Sequence, residues 1–151
     1  MKKLIISGKA DSWRSIEELK KKNAEIWMCG TDPREGGDLY FELHGIEIKN
    51  HKNVIYELPE EVYTFGLPIN NTISALCVYA WLLGYKWISI VGAPMNLSNE
   101  YLEQRPALAY VIGWLSAKGV KINWSALPRS TDYGKKEKKK NGKEYQNIKK
   151  N

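Results

Sequence analysis

Asn70–Gly92 reads NNTISALCVYAWLLGYKWISIVG, and its pattern decides the fold class. Asn71 or Thr72 can cap a helix, because a short polar side chain accepts a hydrogen bond from an amide of the first turn. The apolar run that follows reaches Leu83, and Gly84 stops it. Trp87–Val91 (WISIV), closed by Gly92, has the form of a short strand buried on both faces. A helix feeding such a strand is half of a parallel crossover unit.

The pattern repeats outward in both directions. Upstream, Lys3–Ser7 (KLIIS) is a strand ended by Gly8, and Ser15–Lys22 is a short amphipathic helix with Asp11 or Ser12 as cap. Glu25–Cys29 (EIWMC) is a second buried strand, Thr31–Asp38 is loop, and Leu39–Leu43 is a third strand ending at His44-Gly45. Asn53–Leu58 reads as a strand and Glu60–Pro68 as irregular. Downstream, a helix opens within Glu100–Pro106 and runs to Lys118, where Gly119 stops it; Ile122–Ala126 is the last strand. Strands alternating with helices predict an α/β chain: a single Rossmann-like three-layer domain with a mostly parallel sheet and helices on both faces. That domain spans residues 1–128. Residues 129–151 lack the apolar residues to pack and are expected to form a disordered, Lys-rich tail.

Charge and cysteines narrow the function classes. The net charge of +6 sits wholly in Lys135–Asn151, with eight Lys and two Glu, while residues 1–134 carry fifteen basic and fifteen acidic residues. A neutral body argues against a broad phosphate-tracking face, which needs clustered Lys and Arg. Cys29 and Cys77 lie in apolar runs with no CxxC, so they read as buried free thiols, not as a disulfide framework or a zinc site. No signal peptide precedes the first strand and no apolar run reaches bilayer length, so a cytoplasmic protein with no membrane contact is expected.

In open parallel sheets, ligands bind beyond the carboxyl ends of the strands, where the strand order reverses. Ser7 and Gly8 open the first such loop, where a glycine would let amides approach a phosphate. Thr31 and Asp32 open the second, with Gly30, Pro33 and Arg34. The third combines Asn71 and Thr72 at a helix start with Gly92 and Met95 after the next strand, a place for an anion or ribose or an ordinary cap. Glu42 and His44, as E-L-H, would end a strand on one face, as an acid/base pair or a polar contact. One Glu and one His are thin for a metal, and no metal or cofactor is implied. His51 lies in a Lys/Asn-rich loop and reads as exposed. Tyr101, Gln104 and Arg105 open the last helix before Pro106, which the first helical turn tolerates. Arg105 could clamp a phosphate bidentately or pair with Glu100 or Glu103.

Two segments carry a resemblance. Tyr40-Phe41-Glu42-Leu43-His44 and the Glu100, Tyr101, Gln104, Arg105, Pro106, Tyr110, Ile112, Gly113 pattern resemble a group of small phage-encoded Rossmann-like proteins. That group is similar, more distantly, to glycosyltransferase-like and pterin-pyrophosphokinase-like domains of unknown function. The resemblance covers most of the body and not the tail. Two departures stand out: Ser7–Ser12 replaces a Gly/Pro/Ser-rich first loop, and Pro94 stands where the group tends to have Asp. Losing that carboxylate favours binding over turnover.

The expected function is therefore a phage nucleotide-binding protein, non-catalytic, able to sequester a nucleotide signal of a host defence system. One alternative is a small transferase acting on a nucleotide or nucleotide-sugar, with Glu42 or His44 as base and Arg105 on phosphate. A third reading is a nucleic-acid accessory protein whose Lys-rich tail makes a weak contact. The expected partner is a nucleotide-like small molecule, and a homo-oligomer is left open.

Overall fold

The protein is described here by a computed structural model covering residues 1–8, 16–30, 33, 35–95, 99, 101–124 and 126–127. KLIIS, EIWMC and WISIV form β1 (Lys3–Ser7), β2 (Glu25–Cys29) and β5 (Trp87–Val91), with the bounds read from sequence. The remaining strands are β3 (Leu39–Phe41), β4 (Val54–Ile55) and β6 (Lys121–Trp124). All six pair in parallel in the order β4-β3-β2-β1-β5-β6. Three helices accompany them, α1 (Ile16–Lys20), α2 (Thr72–Leu82) and α3 (Tyr101–Ala117), and Glu60–Tyr63 forms a 3₁₀ turn. The chain is a doubly wound, Rossmann-like α/β domain.

Alternation along the strands splits the core in two. Leu4, Ile6, Trp27, Phe41, Ile88 and Ile90 point to the face covered by α2 and α3, where they meet Leu76, Val78, Leu108 and Leu115. Ile5, Ile26, Met28, Tyr40 and Val91 point to the other face and pack on Leu19 of α1. Parallel strands buried on both sides need this uninterrupted apolar sequence, which is why β1, β2 and β5 were legible.

Elsewhere the elements are shorter than their patterns. β3 stops at Phe41 because the Glu42 carboxylate draws the His44 and Ile46 amides into a turn. β4 begins after Asn53, whose φ of 63° lies in the left-handed region, and keeps only two residues at the sheet edge. α1 gives way to tight i→i+3 bonds at Lys22 and Asn23, so it ends at Lys20 and not Lys22. β6 closes at Trp124, whose carbonyl takes the Leu127 amide. α3 already starts at Tyr101, so Pro106 is its sixth residue, past the first turn where a missing N–H costs nothing. Asp11, Ser12 and the tail 129–151 lie outside the described residues. Among those described, no helix is long and apolar enough to cross a membrane.

Candidate functional site

The chain steps from β1 to β2, β3 and β4, and then α2 carries it back to β5 on the far side of β1. Strand order therefore reverses between β1 and β5, the position where doubly wound sheets open a crevice at their carboxyl edge. The two strand ends are in very close contact. The Gly8 amide donates to the Val91 carbonyl at 2.8 Å, and a Cβ on Gly8 would stand 2.5 Å from the Gly92 oxygen. Gly8 is thus required by the approach of two backbones, and its N–H is not aimed at a phosphate as expected. Ser7 beside it is fully buried. On the β5 side Gly92 (φ 62°) and Met95 (φ 50°) both adopt left-handed backbone, and for Met95 this is a strained state that its burial holds in place.

α2 begins at this same edge. Asn71 is its cap: Oδ1 accepts from the Ser74 amide at 2.9 Å, and Nδ2 donates to Asn70 Oδ1 and to the Gln104 carbonyl. Asn70 in turn donates to the Glu103 carbonyl. The Asn71 amide is therefore spent on capping α2 and tying it to the first turns of α3, while Thr72 is half-buried as the first helical residue. Ser74 is different. Its side chain is fully buried, and Oγ has no hydrogen-bond partner among the described residues. Cys77 follows one turn along the same helix face. Burial and the neighbouring Cys29 push the Cys77 thiol up, and Cys29 lies 3.6 Å from the Ser7 carbonyl. Ser74 lies one turn nearer the start of α2 than Cys77 and is buried with it. Burial pushes Cys29 itself up to about 12, and both cysteines are buried free thiols, as read.

Arg105 does not stand open as a clamp, nor does it pair with Glu103. Its guanidinium donates to the Ala126 carbonyl at 2.6 Å and lies over the Trp124 ring. The Trp124 indole N–H donates to the Ala93 carbonyl at 2.8 Å. Arg105 and Trp124 form a latch joining α3, the end of β6 and the loop after β5. Tyr101 packs on the core, and Gln104 contributes its carbonyl to Asn71.

Glu42 and His44 meet, but beyond the strand instead of along it. Glu42 is 1% exposed, and its oxygens accept from the His44 and Ile46 amides and contact His44 Nδ1 at 3.0 Å. Burial pushes this carboxyl up, yet the Ile46 and His44 hydrogen bonds and the His44 ring outweigh it and hold the group below its ordinary value. The imidazole itself is 65% exposed. His51 is not exposed as read: it stacks on Tyr40 at 4.2 Å and contacts the Pro33 carbonyl. From β3 to β6 there are four strand spacings, about 19 Å, so Glu42–His44 and Arg105 do not share one reacting centre.

No family model, curated protein or solved structure matches the chain.

An open hollow of about 570 Å³ lies at the amino end of β2, lined by Lys20, Asn23, Glu25 and Asp38. Its acids are already engaged: Asp38 accepts the Ile26 amide, and Glu25 accepts the Tyr85 hydroxyl and the Trp27 indole N–H. We place the candidate site at the carboxyl edge instead, where the strand order reverses and a buried hydroxyl lacks a partner among the described residues. Thr31 and Asp32 lie outside the described residues. Reasoning from sequence missed Ser74 and Trp124. Asn71-x-x-Ser74 marked the Ser74 amide as the cap's partner, since the third helical residue is where that amide falls, but nothing in it marked the hydroxyl. Nothing in INW marked Trp124, because its role depends on a loop thirty residues earlier.

Proposed function

We propose that the chain captures a small anionic, nucleotide-like molecule at the carboxyl edge of β1 and β5, under the N-terminus of α2, without converting it. The observation that carries this reading is the buried Ser74 hydroxyl, without a partner among the described residues, in the first turn of a helix that starts at the strand-order reversal. A buried polar group without a partner is costly, and a bound ligand is one way to satisfy it. The helix dipole favours an anion at the same place. Capture and not turnover is supported by Glu42, whose carboxylate is saturated by its own turn, and by Pro94, which offers no polar side chain after β5. Such a protein suits sequestration of a nucleotide signal.

The test is native mass spectrometry and calorimetric titration of the full chain against mono-, di- and cyclic nucleotides. Saturable binding that is indifferent to EDTA is expected, weakened about threefold to tenfold in Ser74→Ala by the loss of one hydrogen bond. Absence of binding across the panel would sink the reading. A second reading rests on the Glu42–His44 pair, in which a buried carboxylate orients an exposed imidazole as it would a general base. Metal-dependent consumption of a nucleotide-sugar, abolished in His44→Ala, would establish that transferase reading in place of the first.

A further inference from the structure

The outer face of α3 is built as an interface. A helix that is apolar all round is normally buried all round, and from Pro106 to Ala117 this helix carries no charged residue. Its outer stripe, Leu102, Pro106, Tyr110, Gly113 and Ala117, is nevertheless exposed, with Leu102 at 74% and Tyr110 at 62%. Beside the stripe, Trp114 contacts Trp81 of α2 and Phe65 at 5.1 and 5.5 Å, which extends the apolar surface across the seam between the helices. The segment from Val62 to Tyr85 that supplies Trp81 and Phe65 is also free of charge. Tyr63, Leu82 and Leu83, on the neighbouring 3₁₀ turn and at the end of α2, are each more than a third exposed, and with Leu102, Tyr110 and Phe65 their exposed parts amount to on the order of 600 Å². That approaches the share of about 800 Å² that each partner gives to a standard interface.

We propose that this face is the homodimer interface, closed by a second copy of the chain about a two-fold axis near Tyr110 and Gly113. The shape is self-complementary. Tyr110 stands 62% exposed, and one turn away Gly113 has no side chain and open space around it, since an added Cβ would meet nothing within 4 Å. In an antiparallel pair of α3 helices, Tyr110 of each copy seats over Gly113 of the other, the reciprocal contact that a two-fold interface demands. The charge distribution permits it, since residues 1–134 are neutral, Pro106–Ala117 carries no charged residue, and the exposed Glu103 lies at the far end of the face. A face that docks on anionic lipid would present free cations at its margin. Here the ends of α3 carry one charge of each sign, Glu103 at the start and Lys118, over the Trp114 ring, just past the end.

Sedimentation equilibrium of the full chain, with circular dichroism melting of the same samples, tests this. The expected species has twice the 17.3 kDa chain mass, and Tyr110→Glu should weaken association about tenfold or more, as loss of a central aromatic anchor does. Gly113→Leu supplies the control against misfolding. Its side chain has room in the single chain, and a helix interior prefers Leu to Gly, so the variant should stay folded while the dimer weakens. A monomeric wild-type chain at high micromolar concentration overturns the proposal. So does a dimer indifferent to both variants, which places the interface elsewhere. Wild-type monomer that co-sediments with phosphatidylserine vesicles overturns it in favour of a lipid surface.

Discussion

Ser74 and Glu42 show two opposite ways a buried polar side chain is used. The Ser74 hydroxyl is without a partner among the described residues, so Ser74→Ala removes a desolvated group and should leave thermal stability unchanged or raise it, while ligand affinity falls. A fall in both would make Ser74 a structural residue and nothing more. Glu42 is the converse, saturated and structural. Its pKa is held below the ordinary 4.5, so its contribution is in full force above that value and is lost as pH falls through the lowered one. Glu42→Gln should cost about 1–3 kcal/mol at neutral pH, and the two proteins should converge in stability in acid, as urea titrations across pH would record. Both roles were only half legible beforehand. E-L-H announced a polar pair, but alternation along a strand could not foretell that Glu42 would curl back and end that strand. Ser74 was hidden because a serine among apolar residues looks the same in sequence whether its hydroxyl is satisfied or not.

At the scale of elements, legibility followed burial. β1, β2 and β5 are central and apolar on both faces, so composition alone set their limits, whereas β3, β4 and β6 end where a side chain or a turn intervenes. The same holds for helices. Asn71 and Gly84 bounded α2 as read, because capping is local chemistry. The start of α3 was blurred because its attachments are distant. Asn71→Ala should cost about 1–2 kcal/mol, and hydrogen exchange should also rise in the first turns of α3, since the Asn71 amide holds the Gln104 carbonyl. Exchange confined to α2 would mean that this link is idle. Arg105→Ala should lower the melting temperature by breaking the latch to Ala126 and Trp124, with any change in ligand affinity following from the displaced loop after β5.

At the scale of the molecule, the net charge is concentrated at one end of the sequence. Lys135–Asn151 carries the whole net charge and no apolar run, so the truncated chain should melt as the full one does while losing salt-sensitive retention on a DNA column. A large drop in melting temperature would show that the tail packs after all. The reversal of strand order also has a consequence for how this chain comes off the ribosome. β1 is made first, yet one of its two neighbours, β5, is made only after β2, β3, β4 and α2. Through most of synthesis KLIIS therefore presents an unpaired, apolar edge, a template on which nascent chains can join one another. A chain arrested at Gly84 should aggregate in light scattering, and one extended through β6 should not, because WISIV then shields β1 and is itself covered by β6.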